Sequence, residues 1–126
     1  MGMGFLLVFI GSGLGGMMRH GVGLLSLQLL GPNFPYGTLA VNIIGSALIG
    51  VAVGVLPLLH IGGQETRLFV VTGILGGFTT FSAFSLDTVA LWERGQNGLA
   101  VGYVLLSVIL SVGALVAALL LARRWM

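Results

Sequence analysis

The stretch GILGGFTTFSAFS, Gly73 to Ser85, decides how this chain folds. It lies in the middle of an apolar segment bounded by Arg67 and Arg94. Hydrocarbon has no water to satisfy backbone N–H and C=O groups. A glycine pair followed by two threonines at mid-membrane depth therefore needs protein or a polar cavity beside it. An unbroken helix from Arg67 to Arg94 would extend roughly 42 Å, longer than the ~30 Å hydrocarbon core. A central interruption fits that excess, and a broken helix turns carbonyls and helix ends toward ions. Unwinding at Gly76, Gly77, Thr79 and Thr80 would free oxygens suited to a hard cation such as Na⁺. The competing explanation is a glycine kink that serves close packing.

Composition supports a membrane setting for that segment. The 126 residues are 57% hydrophobic and 6% charged, with a mean hydropathy of +1.14, whereas soluble domains carry about 25% charged residues. The basic balance comes from scattered arginines, Arg19, Arg67, Arg94, Arg123 and Arg124, and forms no patch, which argues against nucleic acid. Cysteine is absent, which removes disulfides and thiolate metal sites. Two histidines and three carboxylates, none placed as a nucleophile with its base or as a metal cluster, argue against an enzyme.

Four segments reach the ~20 residues that a span requires: about 3–28, 37–59, 67–92 and 99–122, in one four-helix transmembrane domain covering 1–126. Met1 to Met18 has no preceding positive charge and reads as part of a retained first span rather than a signal peptide. Gly31-Pro32-Asn33-Phe34-Pro35 closes that span with turn chemistry. A short polar loop with His60, Gln64, Glu65 and Thr66 precedes the third. Arg123-Arg124-Trp125 anchors the last at the interface. Arg67, Arg123 and Arg124 fall on one side, Arg94 and a snorkelling Arg19 on the other, a weak bias compatible with insertion in both orientations.

Gly11 and Gly15, Gly50 and Gly54, and Gly73 and Gly77 are each four apart, a spacing that lets helix backbones approach closely. Four short helices are too few to wall off a wide pathway, so an oligomer is expected. Subunits paired in opposite orientations would supply the inverted symmetry that larger transporters encode as fused repeats.

Several side chains in these spans carry chemistry. Phe78, Phe81 and Phe84 recur every three residues, near one side of a helix. A phenyl ring has a positive edge that attracts an anion without presenting a charge, although composition alone favours core or lipid-facing packing for such residues. Tyr103, Ser107 and Ser111 form a polar stripe on the fourth span. These hydroxyls either bond back to their own helix or donate to a moving anion. Asn42, early in the second span, either caps freed backbone of the third or donates to an ion. Arg19 must reach water or line a vestibule, because an arginine at bilayer depth costs about 2.5–3.5 kcal/mol. Asp87 is placed to pair with an arginine of a neighbouring helix.

The segments GLGGMMRH (Gly13 to His20), GTLAVNIIGS (Gly37 to Ser46) and GGFTTFSAFS (Gly76 to Ser85) resemble those of the Fluc (CrcB) fluoride channels, and the resemblance covers essentially the whole chain. It implies an all-α integral membrane protein of four transmembrane helices with a broken third, assembled as an antiparallel, dual-topology homodimer. It also implies two fluoride pathways, a central structural Na⁺, no organic cofactor, and export of fluoride across the inner (plasma) membrane. On that resemblance Phe81 and Phe84 match the pore phenylalanines, Asn42 the pore asparagine, and Tyr103, Ser107 and Ser111 the polar track. Gly76 and Thr79 match the positions whose backbone carbonyls hold Na⁺, and Arg19 the vestibule arginine. Ala83 stands where many members have a hydroxyl, which leaves Ser82 and Thr80 to supply polarity there. His20 and Gly16 are further departures, away from the implied ion contacts.

The expected function is a passive fluoride-selective channel. The rival of the same size, a dual-topology proton-coupled multidrug exporter, needs an ionisable carboxylate, usually in the first span, and residues 3–28 contain none.

Overall fold

A computed structural model of the chain describes residues 1–59 and 63–125, with the side chains of Leu58 and Leu59 excepted; His60 of the polar loop lies outside the described residues. Every regular element among the described residues is helical: α1 (Gly2–Leu30), α2 (Tyr36–Leu59), α3 (Gly63–Arg67), a π-helical stretch (Leu68–Leu75), α4 (Gly76–Phe78), α5 (Phe81–Glu93) and α6 (Asn97–Trp125). Among the described residues, four spans are long and apolar enough to cross a bilayer: Gly2–Leu30, Tyr36–Pro57, Gly63–Glu93 and Asn97–Trp125. The protein is a multi-pass membrane protein. The third span is a composite of α3, the π-helical stretch, α4 and α5.

Local chemistry sets the ends of these helices. Gly31 adopts φ 79° after α1, a conformation open to a residue without Cβ, and Pro32 follows where the helix cannot continue. Gly95 (φ 80°) turns the chain between α5 and α6.

The interruption of the third span falls at Thr79 and Thr80, whose backbones are extended (φ −86°, ψ 160° and φ −155°, ψ 123°). Gly76, with φ −64° and ψ −39°, remains helical, and Gly77 follows it within α4. Unwinding therefore follows the glycine pair, whereas the sequence predicts that it includes both glycines. Gly77 serves close approach: a methyl group there would stand 2.5 Å from the Ser12 carbonyl oxygen and 2.8 Å from Ser12 Cα. Thr80 takes over as N-cap of α5, its hydroxyl accepting from the Ala83 N–H at 3.1 Å. The π-helical stretch carries no mark in the sequence. In it the Gly76 N–H reaches back five residues to the Val71 carbonyl.

Two helix pairs hold the bundle together. α1 packs on the first half of the third span, where Gly11 meets Gly73 and Phe69 while Gly15 meets Ile74 and Phe78. α2 packs on α6, where Gly50 and Gly54 meet Leu115, Ala118, Leu119 and Ala122. All three glycine pairs thus lie at helix contacts, as small residues do where no hydrophobic effect separates helix from lipid. Leu91, Ala100 and Tyr103 form a buried cluster, with Phe34, Leu39 and Phe84 against it.

Candidate ion pathway

Asn42 closes the interruption from the side. Its Oδ1 accepts from the Thr80 N–H at 2.8 Å and its Nδ2 donates to the Thr80 carbonyl at 3.0 Å. One side-chain amide thus bonds both backbone groups of the residue that caps α5, and it gives the Thr80 N–H the partner that the interruption removes. Of the two roles open to Asn42 in the sequence, the structure makes capping explicit. Gly45, one position short of a helical turn further on, lets α2 lie against Thr79 and Phe78 with no side chain between.

Phe78 and Phe81 sit on opposite sides of this interruption, which resets the helical phase. Phe78 is buried against Gly15 and Gly45. Phe81 and Phe84 lie together on α5, ring centroids 5.5 Å apart at 54°. The three-residue stripe read from the sequence is therefore divided, and two of its rings remain neighbours.

Phe81 and Phe84 line a cavity of about 270 Å³ with Asn42, Ser46, Thr79, Thr80, Ser107 and Ser111. The hydroxyls of Ser107 and Ser111 are buried and have no hydrogen-bond partner. They do not bond back to their own helix, the simplest alternative for serines in a span. An unpaired buried hydroxyl costs about 1–3 kcal/mol, so two in one cavity mark a place where a ligand or water completes the bonding. Tyr103, fully buried, shares their stripe on α6 but is outside the cavity lining, and its hydroxyl donates to Asp87 Oδ2 at 3.4 Å. Asp87 thus has a tyrosine partner where the sequence suggested an arginine. Tyr103 reaches the cavity through Phe84, ring centroids 5.3 Å apart. Ser82 is exposed, with its Oγ 3.3 Å from Thr80 Oγ1.

A second, more polar cavity of about 450 Å³ is lined by Arg19, His20, Thr38, Thr80, Asp87 and Arg94, among others. Thr80 borders both cavities, so the interruption separates a charged vestibule from the aromatic and hydroxyl-lined space. Arg19 Nε donates to the Gly77 carbonyl at 3.2 Å, which fixes the guanidinium at the end of α4.

The same interruption frees other carbonyls. In a continuous helix the Gly76 and Thr79 carbonyls would accept from the N–H groups of Thr80 and Ala83. Those two donors go instead to Asn42 Oδ1 and Thr80 Oγ1. Gly76 and Thr79 therefore keep hard oxygen atoms free of their helical partners, a donor set that fits an alkali cation. Among the described residues, no group of His, Cys, Asp or Glu could hold a metal.

Ser46 lines the cavity without being among the residues that the sequence singles out. It stands within GTLAVNIIGS, four residues after Asn42, and that helical spacing was the available signal.

Residues 6–119 match the family model described as CrcB-like protein, Camphor Resistance (CrcB). The chain is 50% identical over 122 residues to fluoride-specific ion channel FluC 2 of Nitrobacter hamburgensis, covering 97% of this chain and 98% of that protein. It is 53% identical over 118 residues to fluoride-specific ion channel FluC of Agrobacterium fabrum, covering 94% of each. The corresponding protein of Granulibacter bethesdensis is 54% identical over 121 residues, covering 96% of this chain and 95% of that one.

Proposed function

This chain belongs to the CrcB family, and from that premise we propose that it is a passive, fluoride-selective channel that lets fluoride leave the cytoplasm. The observation that carries the reading is the single cavity in which Phe81 and Phe84 meet the partnerless hydroxyls of Ser107 and Ser111.

A small anion entering that cavity must exchange water for protein donors. Phenyl edges offer positive rims that cannot be titrated, and serine hydroxyls offer directional donors. Asn42, committed to Thr80, holds the interruption open beside them. Arg19 contributes positive potential in the vestibule, where it raises the local concentration of anions. Tyr103 and Ser82 flank the pathway, the first behind Phe84 and the second beside Thr80. Passage needs no coupled ion. An inside-negative potential of roughly 100 mV favours outward movement of a monovalent anion by about 2.3 kcal/mol.

The working unit in this reading is an antiparallel homodimer with two pathways. Gly76 is exposed in the isolated chain, near the middle of the third span, and its carbonyl has lost its helical donor. Lipid cannot satisfy such a group, and a second copy can cover it. Phe81 is likewise 78% exposed in the isolated chain. The Gly76 and Thr79 carbonyls of both subunits would hold Na⁺, whose charge would offset the clustered oxygen dipoles at the twofold axis.

Fluoride-electrode recording of efflux from liposomes tests the reading. Purified protein is expected to release fluoride and retain chloride, and replacement of both Phe81 and Phe84 by isoleucine to abolish the flux. Robust fluoride flux in that double variant would contradict the pathway. Proton-dependent efflux of an organic cation would replace the channel reading with an exporter.

A further inference from the structure

We propose that Ser46 is a fluoride-coordinating residue, the hydroxyl donor that α2 contributes to the cavity lined by Ser107 and Ser111; the proposal rests on the channel reading above. It follows from how the other polar side chains of that cavity are engaged. Asn42 uses Oδ1 and Nδ2 on the Thr80 backbone. The Thr79 hydroxyl donates to the Leu75 carbonyl at 3.0 Å. The Thr80 hydroxyl accepts from Ala83 and lies against Ser82 Oγ. Ser107 and Ser111 remain unpartnered, both on α6.

Donors from one helix approach an anion from one side. An ion that surrenders its hydration shell needs them from several directions. Ser46 lies one turn beyond Asn42 on the same face of α2 and lines the same cavity. Its position is also well fixed. Adjacent Gly45 is pressed against Thr79 and Phe78, and Gly50 and Gly54 hold α2 against α6. A hydroxyl held between these contacts is preorganised for an ion, whereas a mobile one would lose part of its interaction to ordering. Serine donates O–H to fluoride. Alanine at this position keeps the helix and nearly the same volume but offers nothing to the ion.

The test uses the full chain reconstituted in liposomes loaded with potassium fluoride, with efflux read by a fluoride electrode. S46A is expected to slow fluoride efflux about tenfold, the scale of one hydrogen bond to a charged group. S46T, which keeps the hydroxyl, is expected to recover efflux to within about threefold of the unsubstituted protein. Thermal unfolding and oligomeric state of S46A in detergent are expected to be unchanged. Unaltered efflux in S46A would overturn the proposal. Equal losses in S46A and S46T, or a loss that tracks lowered thermal stability, would assign Ser46 to packing and overturn it too. Absence of efflux from the unsubstituted protein would remove the channel reading and this role with it, an outcome distinct from failure at Ser46 alone.

Discussion

Asn42 and Thr80 bond to each other as two peptide groups do, with one N–H···O contact in each direction at 2.8 and 3.0 Å. A side-chain amide on α2 therefore stands in for the helical turn that the third span lacks. The interruption depends on a residue thirty-eight positions away in the chain.

Replacement of Asn42 by alanine should leave the Thr80 N–H unsatisfied, while the Thr80 carbonyl keeps its place as first acceptor of α5. An unpaired buried donor costs about 1–3 kcal/mol, so a loss of about that size in stability is expected alongside loss of flux. Asn42→Asp keeps the acceptor and removes the donor, and should fall between Ala and the unsubstituted protein in stability. Thermal unfolding in detergent, measured with fluoride efflux, checks both. An N42A protein as stable as the original would show that the pair contributes nothing.

Ser107→Ala and Ser111→Ala should separate stability from function. Their hydroxyls are buried without partners, so removal relieves a desolvation penalty of about 1–3 kcal/mol. Each variant is expected to melt at the same or a higher temperature while conducting fluoride several-fold more slowly. Lower melting together with normal flux would reverse the assignment.

Gly77→Ala should damage assembly. The added methyl meets Ser12 backbone atoms at 2.5–3.0 Å, and neither helix can yield locally because both partners are main chain. Gly98→Ala, with nothing within 4 Å of the added group, should be neutral. Yield and melting temperature of the two purified variants provide the comparison, and equal behaviour would argue against the α1 contact.

Arg19→Met removes both the vestibule charge and the donor to the Gly77 carbonyl. Fluoride flux is expected to fall, and to depend less steeply on ionic strength than in the unsubstituted protein, since screening acts on the charge that is gone. Arg19→Lys keeps the charge without the planar donor and should retain the salt dependence. A salt dependence unchanged in R19M would place the electrostatic attraction elsewhere.

Much of this was legible in the sequence because bilayer insertion and helix contact depend on residues near one another in the chain. Apolar length marked the spans. Glycines four apart marked three faces of close approach, all of which occur at helix contacts. The placement of the interruption was less legible. Glycine is the residue expected to unwind, yet Gly76 and Gly77 stay helical, Gly77 closely against α1, and the extended residues are the two threonines after them. The difference arises because backbone distortion settles where its freed groups find partners, and Thr80 has Asn42.

By itself the sequence determined a four-span, charge-poor membrane chain with hydroxyls, an amide and aromatic rings at helical intervals. Periodicity assigns residues to faces, and hydrocarbon permits few alternatives to helix. Only the tertiary structure decided which faces meet: that Asn42 is engaged by Thr80, that Asp87 bonds Tyr103, that Phe78 parts from Phe81 and Phe84, and that Ser46 joins Ser107 and Ser111 at one cavity. Those relations depend on the phase between helices. That phase is set by packing at Gly11, Gly45, Gly50 and Gly77 and by the two extended residues that reset the third span, none of which can be read along a single helix.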